Sequence, residues 1–353
     1  MHWLVLLAAS LGQVAPPNPA PMMPATAPAP VAESSGPAAA ATAAVESAVA
    51  DAAAPEVSFG APVVPMVPAA APYGAAAPNF NEARGLFESD HAFDGFVGPM
   101  TDPIQAKDAR SLTEARFLFL SNWARPGTPV VGRGTYQVYA LQLRLAVTER
   151  LQLFADKDGI VRFSPNPGRS VTGLANLAAG AKYVFIRDVE DQFLFSGAVQ
   201  YEAPTGYANI FQNQGSGLLG VYGIFAKQFG DNLHIQGQFG QNIAMQTQQN
   251  GYFYTHLHAD YRLGKFVPFF EANWFYYNQG AHYLPASIGM EGAGFINLGT
   301  SGFTGDSIVT LAPGFKYDFN QHLELGTCYQ FPVSPEHKSL YGDQLIVDLI
   351  LRY

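Results

Sequence analysis

The stretch that decides the fold runs from Gly251 to Tyr277, GYFYTHLHADYRLGKFVPFFEANWFYY. It holds two runs of period-2 alternation joined at Gly264-Lys265. On the first run Phe253, Thr255, Leu257, Ala259, Tyr261 and Leu263 share one face; Tyr252, Tyr254, His256, His258, Asp260 and Arg262 share the other. On the second, Phe266, Pro268, Phe270, Ala272 and Trp274 oppose Val267, Phe269, Glu271 and Asn273. Side chains alternate faces along a strand, so this is a hairpin with one apolar and one more polar surface. A two-residue turn pairing Leu263 with Phe266 sets His258 opposite Glu271 and His256 opposite Asn273. Asp260 then meets Phe269, the one mismatch, and Pro268 is a second blemish because it cannot donate to a ladder. Each run covers about 10 residues, nearer a membrane barrel strand than the ~5–6 of an average soluble one.

The pattern repeats. Strand-like runs read as Ala115–Ser121, Tyr136–Val147, Leu151–Lys157, Leu177–Ile186, Gln192–Glu202 and Leu218–Gln228, then Leu233–Ile243, Tyr252–Leu263, Phe266–Tyr277, Ile308–Asp318, Leu323–Phe331 and Gln344–Tyr353. They predict an all-β, antiparallel transmembrane β-barrel of about twelve strands, an even number as bacterial outer-membrane barrels have. Link lengths alternate. Thr148-Glu149-Arg150, Arg187–Asp191, Phe229–Asn232, Gly264-Lys265 and Phe319–His322 are short, while the links between them are longer and mostly rich in Gly, Pro, Asn, Gln and Ser. Short turns at one end and longer loops at the other are what such a barrel shows. A basic residue facing lipid at the midplane costs about 2–4 kcal/mol, so Arg144, Lys182, Asp260, Glu271 and Asp348 are assigned to the lumen. Tyr139, Tyr183, Tyr201, Tyr261, Trp274, Tyr317, Tyr329 and Tyr353 fall on the opposite face, where they would form interfacial girdles. The run Leu218–Gln228 is apolar on both faces, which a docked segment or a ligand would explain.

The rest of the chain divides by composition. Residues 1–100 carry one basic residue, Arg84, against eight acidic ones, and are dominated by Ala and Pro. Residues 101–353 hold 18 basic and 20 acidic residues, so no basic surplus exists to neutralise phosphates, and nucleic-acid binding is not expected. Residues 1–20 read as a secretory signal, although the segment before the apolar run lacks Lys or Arg. Residues 21–78 read as a disordered Ala/Pro-rich linker, with a tether to the cell wall as the sharper alternative. Residues 79–112 bring Phe80, Phe87, Phe93, Phe96 and Met100 among Asp, Glu, Gly and Pro, and are read as docking at or plugging a barrel of residues 113–353. Cys328 is the only cysteine and cannot form an intramolecular disulfide.

The elements YALQLRLAVTERLQLF, GLANLAAGAKYVF and FLFSGAVQYEAPTG lie between Tyr139 and Gly206. Their matching residues are Thr148, Glu149, Arg150, Leu151, Gly173, Leu174, Asn176, Leu177, Gly180, Ala181, Lys182, Tyr183, Pro204, Thr205 and Gly206. This part resembles the bacterial outer-membrane channel family of the MetA pathway of phenol degradation. The likeness covers roughly a quarter of the barrel and is a pattern of strands and turns, not a catalytic motif. It implies an outer-membrane barrel with a transport role, and does not imply that this chain handles phenols.

His256-x-His258 places two imidazoles on one face with Glu271 across from them, a set that can hold Zn²⁺, but a hydrogen-bonded lumen network is the preferred reading. No metal or cofactor is assigned. Two further pairings are expected from the turns, Lys316 with Glu324 and Lys227 with His234. Ser287-Ile288-Gly289 is only half of a nucleophile elbow, because position 285 is Pro, and no enzyme is expected. The sequence is read as an outer-membrane channel or transporter-like barrel for passive passage or binding of a small solute. Its lumen is expected to be lined by Arg144, Lys182, His256, His258, Asp260, Arg262 and Glu271, with the Asn278–Ser307 loop as the constriction. The alternative is a structural barrel tethered to the cell wall by its N-terminal arm.

Overall fold

The computed structural model describes residues 85–353 apart from 127, 129 and 335–338. The expected signal segment, the Ala/Pro-rich linker and residues 79–84 of the docking segment lie outside the described residues. Fourteen strand segments follow: β1 (Glu114–Trp123), β2 (Thr135–Ala146), β3 (Leu151–Lys157), β4 (Ile160–Ser164), β5 (Val171–Leu174), β6 (Leu177–Asp188) and β7 (Phe193–Ala203), then β8 (Leu218–Phe229), β9 (Leu233–Ala244), β10 (Gly251–Tyr261), β11 (Phe266–Gln279), β12 (Ser307–Asn320), β13 (Leu323–Pro332) and β14 (Asp343–Arg352). β3 and β4 both pair with β2, at successive stretches of it, and so form one interrupted stave. β5 pairs with β4 and β6 with β3, forming a second. The result is twelve antiparallel staves. β1 pairs with β2 on one side and with β14 on the other, from Glu114↔Arg352 to Trp123↔Asp343, and this seam closes the barrel.

The deciding hairpin has the expected register. Leu263 bridges to Phe266, His258 faces Glu271, His256 faces Asn273 and Asp260 faces Phe269. The turn holds because Gly264 takes φ +66°, a left-handed conformation open to glycine at no steric cost. The link Asp158–Asn176, expected as loop, instead carries β4 and β5; its five- and four-residue segments are too short to show a period in the sequence. The pairing of Lys227 with His234 is corrected. Gln228 faces His234, because β8 runs on through Phe229 and the turn holds three residues. With a period of two, that single step puts the side chains on opposite faces: His234 inward and Lys227 beside Asp191 outside. Lys316 faces Gly326 rather than Glu324, because β12 runs on to Asn320 and the turn is Gln321-His322, with a bulge between Asp318 and Asn320 shifting the register by one; its Nζ still reaches Glu324 Oε1 at 2.6 Å.

Burial follows the alternation. Tyr139, Tyr183, Tyr201, Tyr261, Trp274, Tyr317, Tyr329 and Tyr353 all lie on the exposed outer wall, as does an apolar band that includes Leu143, Val199, Leu257 and Phe270. The outer wall is therefore a surface for hydrocarbon, flanked by aromatic residues near each end. Arg144, Lys182, Asp260, Glu271 and Asp348 are buried inside. We predict that Leu257→Arg, mid-strand on the outer wall, lowers the unfolding free energy of lipid-refolded barrel by about 2–4 kcal/mol. Urea titration followed by heat-modifiable gel mobility reads it, and a change below about 0.5 kcal/mol would contradict the outward assignment.

Candidate functional site: the lumen and the segment inside it

Both chain ends of the barrel, at Glu114 and Arg352, lie at the end where the links are short. The segment leading into β1 starts there. Ser89 donates its N–H to Tyr353 O at 3.1 Å, and Asp90 N–H donates to Ser111 O at 2.9 Å, so the chain leaves and returns at one place. Between them it enters the barrel and turns back. Residues 97–112 are buried throughout. On the way in, Gln236 donates to Val97 O at 2.5 Å and Arg262 Nε to Gly95 O at 2.9 Å. At the apex Asp102 accepts from Tyr341 Oη at 2.7 Å and Gln330 Nε2 at 3.0 Å, and Tyr222 Oη donates to Gln105 Oε1 at 2.6 Å. On the way out Lys182 Nζ donates to the carbonyl oxygens of Asp108 and Arg110, Ser196 Oγ to Ala109 O at 2.7 Å, and Gln152 Nε2 to Leu112 O at 2.7 Å.

This segment has no ladder of its own, so its buried carbonyls need partners from elsewhere. The wall supplies them as inward amides, hydroxyls and cations. Apolar contact adds to this near the entry, where Phe93, Phe96 and Ala109 pack with Ile224 and Ala226 of β8. That contact explains why β8 is apolar on its inner face.

The strongest joint is at Glu271. Its carboxylate accepts from Met100 N–H and Thr101 N–H, each at 2.7 Å, from the Thr101 hydroxyl, and from His258 Nδ1 at 2.7 Å. His258 Nε2 is 3.1 Å from Asp260 Oδ2, and Asp260 Oδ1 is 2.7 Å from His234 Nδ1. The mismatch of Asp260 with Phe269 is thus resolved sideways: its partners are on its own strand and on β9, not across the hairpin. His256 Nδ1 lies 2.7 Å from Asn273 Oδ1. His256, His258 and Glu271 offer ligand atoms within 4.8 Å of one another. However, the Glu271 carboxylate is filled by four donors and both His258 nitrogens are engaged, so the group is an ion-pair relay that clamps the inner segment.

The other predicted lumen residues join separate clusters. Arg144 pairs with Glu114 at 2.5 Å and with Asp156 at 3.4 Å, and Asp156 also holds Lys107 of the inner segment at 2.9 Å. Arg262 pairs with Asp318 at 2.6 Å. Lys182 holds backbone oxygens rather than a carboxylate. All seven predicted residues point inward, divided among the relay, the Arg144 cluster and the positions near the entry. Reading the sequence missed Asp102, Lys107, Asp108, Arg110, Asp156, Lys157 and Glu202. The four in the inner segment lie outside any alternating run, and Asp156 and Lys157 end a short one. Glu202 alternates inward on β7, where its partner is Lys157 at 2.5 Å.

From the opposite end, the 280–306 loop folds inward. Phe295 stacks on the inward Tyr136 with centroids 5.7 Å apart and planes 3° from parallel. Glu291, fully buried, accepts from Leu298 N–H at 2.7 Å, Thr300 N–H at 3.0 Å and Asn250 Nδ2 at 2.6 Å. Gly294 packs so closely on the apex that a Cβ there would lie 2.6 Å from Gln105 Cγ. Loop and inner segment therefore touch, and the cavity where they meet near Pro103, Ile104 and Phe295 is only about 10 Å³, room for about one water molecule.

Two carboxyls in this closure, Asp102 and Glu291, have no ion-pair partner among the described residues. Burial pushes Asp102 up to about 7, against the hydrogen bonds from Tyr341 and Gln330, and burial pushes Glu291 up to about 7 as well. A carboxyl whose folded pKa is raised stabilises the closed form fully below its unfolded value near 4, and that contribution is lost as pH rises through 7. Protease cleavage within residues 97–112 should therefore quicken between pH 5 and pH 8, and Asp102→Asn with Glu291→Gln should flatten that rise; an unchanged slope would contradict it. Glu271→Ala leaves four donors without their acceptor and should loosen the inner segment by about 3–5 kcal/mol, read as accessibility of a thiol at the buried Ala106→Cys in a Cys328→Ala background.

No family model and no curated protein matches the chain. Solved structures do. The crystal structure of an outer membrane channel from Pseudomonas putida F1 aligns at TM-score 0.52 and 13% identity, covering 73% of this chain and 100% of that one. The KdgM porin aligns at TM-score 0.41 and 9% identity over 68% of this chain and 99% of its own. The transport unit of the autotransporter AIDA-I from Escherichia coli aligns at 0.44 and 11%, over 74% and 94%. With its closed antiparallel wall, outward apolar band and inward polar face, the chain has the porin-like fold of bacterial outer-membrane β-barrels.

Proposed function

We propose that the protein is a gated outer-membrane channel for passive passage of a small solute, in which the 88–112 segment and the 280–306 loop close the lumen. The observation that carries this reading is the kind of contact holding the inner segment. Along residues 95–112 it is held by many separate side-chain hydrogen bonds and ion pairs beside the apolar contacts of Met100 and Ile104, and water can replace such polar contacts one at a time. A segment built only to fill a core would be held by apolar packing. Once it shifts, Arg144, Lys182, His256, His258, Asp260, Arg262 and Glu271 would face the solute, and their mixed charge would favour a polar one. Transport, not catalysis, is the reading: no nucleophile–base pair is part of it, and the solved channel that aligns over its full length is a conduit. The finer assignment, to the channels of the MetA pathway of phenol degradation, rests on the resemblance over residues 139–206 alone.

The closure from both ends supports a second reading, a barrel that does not conduct and is tethered to the cell wall by its N-terminal arm. Planar-bilayer recording separates the two. Wild type should show rare, brief openings. Gly294→Val with Glu271→Ala, which disturbs the loop contact and the wall clamp together, should raise open time at least about tenfold, the effect of roughly 1.4 kcal/mol on a gate. Absence of conductance in both proteins favours the tethered barrel.

A further inference from the structure

The outer wall carries a second polar region that the lumen does not explain. On the outward faces of β2 and β4, the pairs Tyr139↔Ile160, Gln137↔Arg162 and Thr135↔Ser164 run in order toward the long-loop end. Tyr139 and Ile160 are exposed, and with Leu174, which pairs with Ile160, they form the upper edge of the apolar band. Arg162 lies two residues beyond, about 7 Å further along the strand, at the level where hydrocarbon gives way to headgroups. Its neighbour on β5 is Thr172.

Two more arginines belong to this corner. Arg133 donates its backbone N–H to Asn166 O at 3.2 Å, in the turn between β4 and β5, and Arg169 sits three residues on in the same turn. All three side chains are exposed. Among the described residues none of the three guanidinium groups has a hydrogen bond or an ion pair. The acids nearest in sequence are used elsewhere: Asp156 faces inward to Lys107 and Arg144, and Asp158 accepts the N–H of Leu141 at 3.1 Å. Three unpaired arginines thus gather at one corner of a barrel region that holds 18 basic and 20 acidic residues over 101–353.

We infer that Arg133, Arg162 and Arg169 form an outward cationic patch that binds the phosphate groups of the outer-leaflet glycolipid, lipid A. Arg162 is exposed on the outward set of β4, so this corner meets the surrounding leaflet rather than a solute entering the lumen. A guanidinium holds phosphate oxygens in a two-pronged geometry that an ammonium lacks, and all three cations here are arginine. Thr135, Gln137, Ser164 and Thr172 line the same face and supply hydrogen bonds for headgroup sugars. The patch also gives the β4–β5 extension a role, because these two short segments carry the wall beyond the apolar band at this corner.

The test uses the full chain, purified in mild detergent and offered lipid A with both phosphates or lipid A enzymatically stripped of them. Native mass spectrometry counts the lipid retained per barrel. Wild type should retain the phosphorylated lipid about tenfold more than R133Q/R162Q/R169Q does, with retention by wild type falling as salt rises, and the two proteins should retain the stripped lipid equally. Heat-modifiable mobility confirms that the variant is folded, and the salt series on wild type tests the patch independently of it. Equal retention of phosphorylated lipid by both proteins, or retention by wild type that ignores phosphate and salt, overturns the proposal. So does a variant that keeps its lipid but loses uptake of small anions into vesicles, which would assign the patch to the solute.

Discussion

A sheet placed in hydrocarbon cannot end in an open edge. Each unpaired backbone group there costs several kcal/mol, so the last strand must return to the first, and the pairing of β1 with β14 is the constraint on which everything else depends. Closure fixes two surfaces at once. The apolar set of every stave turns to lipid, and the polar set turns into a confined interior. That interior holds Arg116, Arg144, Lys182, Lys316, Glu114, Asp156, Glu271 and Asp348, nearly all without contact with solvent. Such charges persist only when paired, and the wall pairs many of its own: Arg116 with Asp348 at 2.7 Å, Lys316 with Glu324 at 2.6 Å and Arg144 with Glu114 at 2.5 Å.

The pairs left incomplete by the wall are where the inner segment binds. Glu271 finds only His258 across the hairpin and takes Met100 and Thr101 from within; Asp156 takes Lys107; Lys182 takes two backbone carbonyls. The wall and the segment are thus complementary in charge as well as in apolar packing. A cylinder of fixed radius with a polar lining would otherwise hold water. Filling it with a chain that has no regular structure demands donors for its carbonyls, which accounts for the Gln side chains on the inner face at Gln142, Gln152, Gln236 and Gln238, each donating to a carbonyl of the segment.

The architecture was legible in the sequence because two independent regularities converge on it. The period of two assigns each residue to a face, and the parity of link lengths assigns each turn to an end. Neither needs long-range knowledge, since both repeat within about 25 residues. Where a local feature was misread, the miss has a local cause: the three-residue turn after Phe229 shifted Lys227 against His234, and the segments β4 and β5 are too short for a period to show. The resemblance around residues 139–206 pointed to the same fold that the solved channel barrel shares.

The sequence alone determined the wall: which side chains meet lipid, which face inward, and that His258 lies opposite Glu271. Tertiary structure alone decided what those inward groups touch. Residues 88–112 have no alternation, so nothing local states that Thr101 reaches Glu271, that Lys107 reaches Asp156, or that Gly294 meets Gln105 from the other end. Those contacts join positions separated by up to 189 residues, the distance from Gln105 to Gly294, and they exist only because the barrel closes around the segment. A periodic pattern is a property of neighbours along a chain; the partner of a buried charge is a property of the space the closed chain encloses.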